Sequence, residues 1–321
     1  MNPWISILVP VYQVEDYIER CARSVFEQTY ENVEYIFCDD CSPDGSIEVL
    51  NHVMKDYPVR AEHTRIIRFD HNSGHATARN TLVKSCQTDW LMFMDADDWV
   101  EPDIVENLVK KQQETGADLV ISDFIIHLKK EDRRFSYPDF EKKDDYLTYV
   151  LSTFHSACIW GRLIQRSLYI DNDLFVETSC QRYSDMRAFI PLVYYAHYIA
   201  VLHEWGYHYD TTRPGSVTKK DWEINVEQRL HGFALVRAFV KEKIPEHLWL
   251  FDSNRYYPAV STMLNEAAIK GKKRAFQQLS QIVMSLIRKY PFLVGSLKER
   301  LKWRVKCNYF LYHSFLKYVN R

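Results

Sequence analysis

Residues 91–99 read LMFMDADDW. Four apolar side chains, Leu91, Met92, Phe93 and Met94, run without a break into three carboxylates, Asp95, Asp97 and Asp98. A short continuous apolar run fits a strand buried on both faces, the central-strand pattern of an α/β protein. Open α/β sheets bind ligands outside the carboxyl ends of such strands. Carboxylates this close repel one another unless a cation sits among them. Hard divalent ions such as Mg²⁺ and Mn²⁺ take oxygen ligands, commonly one or two carboxylates plus substrate phosphates. A metal–diphosphate site is therefore expected. The plain alternative is an acidic turn in which Asp97 or Asp98 caps the next helix.

Outward from this stretch, strands and helices alternate. Residues 5–9 predict a strand that Pro10 ends, and 15–28 carry Ile18, Cys21, Ala22, Val25 and Phe26 at helical spacing. Residues 33–38 predict a second strand, which also runs into carboxylates, Asp39 and Asp40. The turn CSPDGS precedes a helix through Val49, Leu50 and Val53. Residues 64–69 predict a third strand, and Asn72 and Ser73 offer caps for a helix containing Ala76, Ala78, Leu82 and Val83. Past the acidic loop, Pro102 sits near the first turn of an expected helix that Gly116 ends, and 119–128 predict another strand. The alternation predicts an α/β fold, a mostly parallel sheet with helices on both faces.

The charged segment 129–145 predicts a solvated loop or hairpin, or else a lid over the site. Residues 158–169 predict a short strand entering a helix, 175–198 a helix kinked at Pro191, and 199–209 a strand. Stretches 227–242, 274–289 and 297–319 have helical apolar spacing. The expected organisation is an α/β domain over 1–218 and a helical C-terminal extension over 219–321.

A chain of 321 residues has room for this pair of regions. Its seven cysteines (Cys21, Cys38, Cys41, Cys86, Cys158, Cys180 and Cys307) are odd in number and show no framework spacing, which predicts reduced thiols. Cys38 and Cys41 lack the second pair a zinc site would need. The start WISILVPVY breaks at Pro10 and has no basic flank, so it reads as a strand and not as a signal peptide. There is no G-x-G-x-x-G and no G-x-x-x-x-G-K-[ST], which disfavours a dehydrogenase or P-loop enzyme. A bound nucleotide would have to be held by carboxylates, strand-end backbone and a metal.

Taken together, the blocks ISILVPVYQVEDYIERCARSVFEQTYENVEYIFCDDCSPDGS, HNSGHATARN and LMFMDADDW resemble the family 2 inverting glycosyltransferases, which have the GT-A fold. WGRLI, YSDM and GYHYDTTRPGSVT are similar to that family's weaker later blocks, so the resemblance covers roughly residues 4–218. It implies transfer of a sugar from a nucleoside-diphosphate donor, UDP-sugar by default, to an acceptor hydroxyl, with inversion and with Mn²⁺ or Mg²⁺. By that resemblance Pro10, Val11 and Tyr12 line the base pocket, and Asp40, with Asp39, bonds the base or ribose. Arg79 lies near the diphosphate or braces the acidic loop. Asp95 faces the ribose and Asp97 binds the metal, with Asp98 either a second ligand or a helix cap. Asp185 is the expected general base, although Ser184 stands where the family has glutamate. Arg162 keeps the charge of the family's W-x-K-L lysine. His208, Arg213 and Ser216 fall in a block that often folds over the donor.

Charge is uneven along the chain. From residue 272 onward there are 12 Lys/Arg and one acid, Glu299, against 29 basic and 42 acidic residues in 1–271. The basic, aromatic stretch 297–321 could lie on an anionic membrane surface or dock as a helix on the protein. The expectation is thus a cytoplasmic enzyme, peripheral on the inner face of the membrane, acting on a glycan or lipid-linked acceptor in surface polysaccharide synthesis. Nucleic acid is not an expected partner, since the rest of the chain is acidic. A homo-oligomer is left open, as is a catalytically silent nucleotide-sugar binding module.

Overall fold

Strand β1 (Ile5–Val11) is buried along its whole length in the computed structural model, which describes residues 3–213, 222–294 and 306. It lies between β2 (Val33–Asp39) and β4 (Trp90–Phe93), parallel to both, and β3 (Thr64–Arg68) lies parallel on the outer side of β2. The connecting helices are α1 (Ile18–Phe26), α2 (Ser46–Met54), the short α3 (Pro58–Ala61) and α4 (His75–Ser85). Helix α1 buries Ile18, Cys21, Ala22, Val25 and Phe26, the five residues whose spacing predicted it.

After β4 come β5 (Trp99–Val100), α5 (Ile104–Thr115), β6 (Leu119–His127), β7 (Arg133–Phe135), α6 (Lys143–Ser152), β8 (Arg162–Gln165), α7 (Arg166–Asp171), α8 (Ser184–Tyr195) and β9 (Ile199–Asp210). Gly116 ends α5 in the left-handed conformation, as expected of a helix-stopping glycine. The sheet order is β3-β2-β1-β4-β8-β6-β9-β5, with β7 paired to β6. Parallel pairing holds in β3-β2-β1-β4 and in β6-β9; β8 is antiparallel to both β4 and β6, as are β5 to β9 and β7 to β6. The mostly parallel expectation thus applies to the first four strands, and the far half is mixed. Apart from β6 and β7, these antiparallel partners are far apart in the chain, so no local pattern marks their pairing.

Two units divide the chain: 1–147 with 156–217, and a second containing 148–155 and the residues from 218 onward. In the second unit lie α9 (Trp222–Lys243), α10 (Leu248–Phe251), α11 (Tyr257–Ile269) and α12 (Lys273–Lys289). Its core includes Val260, Met263, Leu264, Phe276, Leu279 and Val283. Two helical expectations, 227–242 and 274–289, fall on α9 and α12. The basic aromatic tail and Ser216 lie outside the described residues, apart from Lys306 in the tail. Among the described residues no helix is long and apolar enough to cross a membrane, and no disulfide joins the six described cysteines.

The pairing of β6 with β9 slips on either side of Asp123, where a bulge in β9 turns His203 outward. His203 Nδ1 lies 3.2 Å from Asp123 Oδ2 and its Nε2 3.0 Å from Asp139 Oδ1. Both ring nitrogens can donate only as imidazolium. The bond to Asp139 raises the His203 pKa, partial burial opposes the rise, and Asp123 adds to it. A folded pKa above the unfolded one gives stability that is complete below the unfolded value and lost as pH rises through the folded value. Melts of wild type and His203→Gln from about pH 5.5 to about pH 8.5 should show a wild-type advantage at the acid end that vanishes at the alkaline end. The half-exposed ring limits it to below about 1 kcal/mol. A difference constant across that range would contradict the clasp.

Candidate active site

The register of β1 and β2 pairs Pro10 with Cys38 and Val11 with Asp39, and the Asp40 N–H donates to the Val11 carbonyl at 2.9 Å. Pro10, Val11, Tyr12, Asp39 and Asp40 therefore meet at two adjacent strand tips. The two carboxylates are already engaged, however. Asp39 Oδ1 accepts from the Ser42 N–H at 2.9 Å, and its Oδ2 is 4.0 Å from Arg68 Nε. Asp40 accepts from the N–H groups of Ser73 (2.6 Å) and Gly74 (2.8 Å). Burial pushes the Asp40 pKa up, and those two bonds oppose the rise. In place of Asn72 or Ser73, then, Asp40 serves the amides at the start of α4, one through each oxygen. Gln181 Oε1 takes the Ala76 N–H at 2.9 Å, and its side chain occupies the space a Cβ on Gly74 (φ 86°) would need.

Helix α4 turns Ala76, Ala78, Arg79, Leu82 and Val83 into the core. Arg79, 5% exposed, reaches past the end of β4. Its Nη2 donates to Asp95 Oδ1 at 2.9 Å and its Nη1 to Asp185 Oδ1 at the start of α8. A single guanidinium thus brings the acidic loop and the expected base together. Burial works against charge on Asp95, but Arg79 first and His75 second outweigh it and hold the carboxyl well below the usual range. His75 lies one helical turn before Arg79, with Nε2 3.8 Å from Asp95 Oδ1 and Nδ1 3.4 Å from the Ser184 hydroxyl. Asn80 pins the approach to α8 by exchanging two bonds with the Val176 backbone, at 2.8 and 3.1 Å.

In the acidic loop the other two carboxylates differ. Asp98 is fully buried: Oδ2 accepts from the Tyr207 hydroxyl at 2.7 Å and Oδ1 from the Asp210 N–H at 2.8 Å. It holds β9 against the loop, so neither the second-ligand nor the helix-cap expectation describes it; α5 begins at Ile104, after Asp103. Burial, then Asp97 and Asp95, push its pKa well up. The Tyr207 hydroxyl also accepts from the Asp95 N–H at 3.2 Å, and its ring stacks on Trp160 at 4.3 Å. Asp97, 27% exposed at its side chain, pairs with Arg213 at 2.9 Å. Burial raises its pKa, Asp95 adds to that, and Arg213 opposes. Among the described residues no three His, Cys, Asp or Glu side chains converge as a metal cluster.

Two further candidates receive packing roles. His208 stacks on Trp99 at 4.8 Å, and its Nδ1 lies 3.0 Å from His127 Nε2 and its Nε2 2.8 Å from Glu101 Oε1. Arg162, fully buried, donates to the carbonyls of Trp160 (2.7 Å) and Ser156 (3.2 Å) and to the Tyr137 hydroxyl (2.6 Å). Backbone strain concentrates at the site instead. Of four non-glycine residues with positive φ among those described, Gln13 (52°), Cys41 (59°) and Tyr183 (56°) directly follow Tyr12, follow Asp40 and precede Ser184.

The profile of Glycosyl transferase family 2 matches residues 6–170, more than half of the chain. The chain belongs to this glycosyltransferase family. Glycosyltransferase GlyA of Streptococcus pneumoniae serotype 4 is 31% identical over 179 residues, 51% of this chain but 25% of GlyA, so the chain spans about a quarter of that relative. EpsH of Bacillus subtilis is 24% identical over 291 residues, 88% of this chain and 82% of EpsH. S. aureus TarS 1-349, solved in complex with UDP-GlcNAc, superposes with a TM-score of 0.62 at 15% identity over 98% of this chain and 92% of its own. Mannosyltransferase PcManGT from Pyrobaculum calidifontis, solved with GDP-Man and Mn²⁺, gives 0.54 at 16% over 99% and 87%. These likenesses establish the GT-A fold. The family match contains Asp39, Asp40, Arg79, Asp95, Asp97 and Asp98 but stops before Asp185.

Proposed function

We propose that this glycosyltransferase moves a sugar from a nucleoside-diphosphate donor, UDP-sugar by default, to an acceptor hydroxyl with inversion, in surface polysaccharide or lipid-linked glycan synthesis. The observation that carries the reading is the Arg79 bridge between Asp95 and Asp185. The donor lies across the tips of β1 and β2, beside Pro10, Val11, Tyr12 and Asp39. A divalent ion suits the donor set: Asp97 offers a hard, partly exposed oxygen, and phosphates and water complete such a shell without a protein cage. Bound Mn²⁺ or Mg²⁺ supplies Lewis-acid stabilisation of charge on the leaving diphosphate. The acceptor oxygen attacks the anomeric carbon as the bond to the diphosphate breaks, and its proton passes to Asp185 Oδ2, which takes no bond among the described residues. Arg79 orients that carboxylate through Oδ1.

TarS with UDP-GlcNAc and PcManGT with GDP-Man and Mn²⁺ support a nucleoside-diphosphate sugar and a divalent ion. A panel of nucleoside diphosphates tested by thermal shift checks the donor half of the proposal. UDP with Mn²⁺ should raise the melting temperature by several degrees and neither component alone should match it. No shift with any diphosphate would count against the pocket. The second reading, a silent donor-binding module, is favoured by Ser184, which stands where the family has glutamate. It predicts the same thermal shift without release of nucleoside diphosphate from any sugar donor.

A further inference from the structure

Arg213 follows the turn that ends β9. Asp210 Oδ1 accepts from the Thr212 N–H at 2.8 Å and its hydroxyl at 2.6 Å, while the Asp210 N–H is tied to Asp98. This anchors the backbone next to Arg213 and sends its side chain back over the acidic loop. The guanidinium donates through Nη1 to Asp97 Oδ2 at 2.9 Å and through Nη2 to the Gln13 carbonyl, and lies 5.4 Å from the centre of the Tyr17 ring. The neighbouring arginines have other acids: Arg20 holds Asp210, and Arg79 holds Asp95 and Asp185. Among the described residues, Asp97 is the one acid that Arg213 contacts.

We propose that Arg213 is a built-in counter-cation for Asp97, occupying this carboxylate in the donor-free protein and competing there with a divalent ion. The proposal rests on the reading of Asp97 as the metal carboxylate. Arg79 balances Asp95, and Arg213 supplies the positive charge beside Asp97 when no ion is bound. A guanidinium and a divalent ion seek the same lone pairs, and even on separate oxygens of one carboxylate they repel. Metal alone is therefore held weakly. With a diphosphate present, the displaced guanidinium gains a new anionic partner, so ion and donor favour each other's binding.

The test titrates Mn²⁺ alone into the full chain and follows loss of the free-ion paramagnetic resonance signal. Arg213→Gln should bind Mn²⁺ about tenfold more tightly than wild type, Arg213→Lys should fall between them, and Asp97→Asn should lose the site. UDP should tighten Mn²⁺ binding more in wild type than in Arg213→Gln. Equal or weaker binding by Arg213→Gln, with the site still lost in Asp97→Asn, overturns the counter-cation and leaves the metal reading standing. No Mn²⁺ binding by wild type even with UDP overturns both. If Arg213→Gln does not fold, Arg213→Lys decides: tighter binding than wild type supports the competition, and unchanged affinity overturns it.

Discussion

Asp185→Asn is expected to lower kcat by about a hundredfold to ten-thousandfold, the range a positioned general base contributes, while UDP affinity stays close to wild type. Asparagine keeps an oxygen for Arg79 but cannot take the acceptor's proton. Asp185 stands at the first turn of α8, and Asn80 and Gln181 fix the segment before that helix against α4. The substitution should therefore leave the donor pocket at β1 and β2 undisturbed. Steady-state transfer rates combined with UDP binding by calorimetry check this. Wild-type turnover would remove Asp185 from the chemistry, and lost UDP binding would make its role structural.

Arg79→Met should cost both stability and transfer. Methionine fills much of the buried volume between α4 and the sheet but leaves Asp95 and Asp185 without their shared cation. Removing one partner of a buried ion pair costs about 3–5 kcal/mol, and the partial exposure of Asp95 and Asp185 places this case at the low end, about 3 kcal/mol. Denaturant midpoints measure the loss. Transfer should fall further than in Asp185→Asn, because the base loses its orientation and the acidic loop gains unbalanced charge. Arg79→Lys should rescue little, since one ammonium cannot span two carboxylates as the guanidinium fork does. Full activity with Arg79→Lys would contradict the bridging role.

How far these features could be read from the chain depends on how local each one is. Strands β1, β2 and β4 are largely apolar and lie where their runs predicted, except that β1 continues through Pro10, its expected end, to Val11. Strands β5 and β7 have two and three residues, too few for a period, and β8 pairs through long-range contacts that no local pattern encodes. The site divides in the same way. Which loops carry carboxylates was plain, but the direction each carboxylate faces depends on distant partners. Asp40 faces the amides at Ser73 and Gly74, and Asp98 faces Tyr207 and Asp210. His75 could have been found, since it sits four residues before Arg79 on one helix face. Asn80, adjacent to Arg79, carried no signal of its own, because its partner Val176 lies 96 residues away.

The most direct test follows release of free nucleoside diphosphate from a UDP-sugar and compares wild type with Asp97→Asn, each with Mn²⁺ and with chelator. Clear release by wild type with Mn²⁺, and almost none with chelator or in Asp97→Asn, is what the site predicts. Undiminished release under chelator and from Asp97→Asn would contradict it.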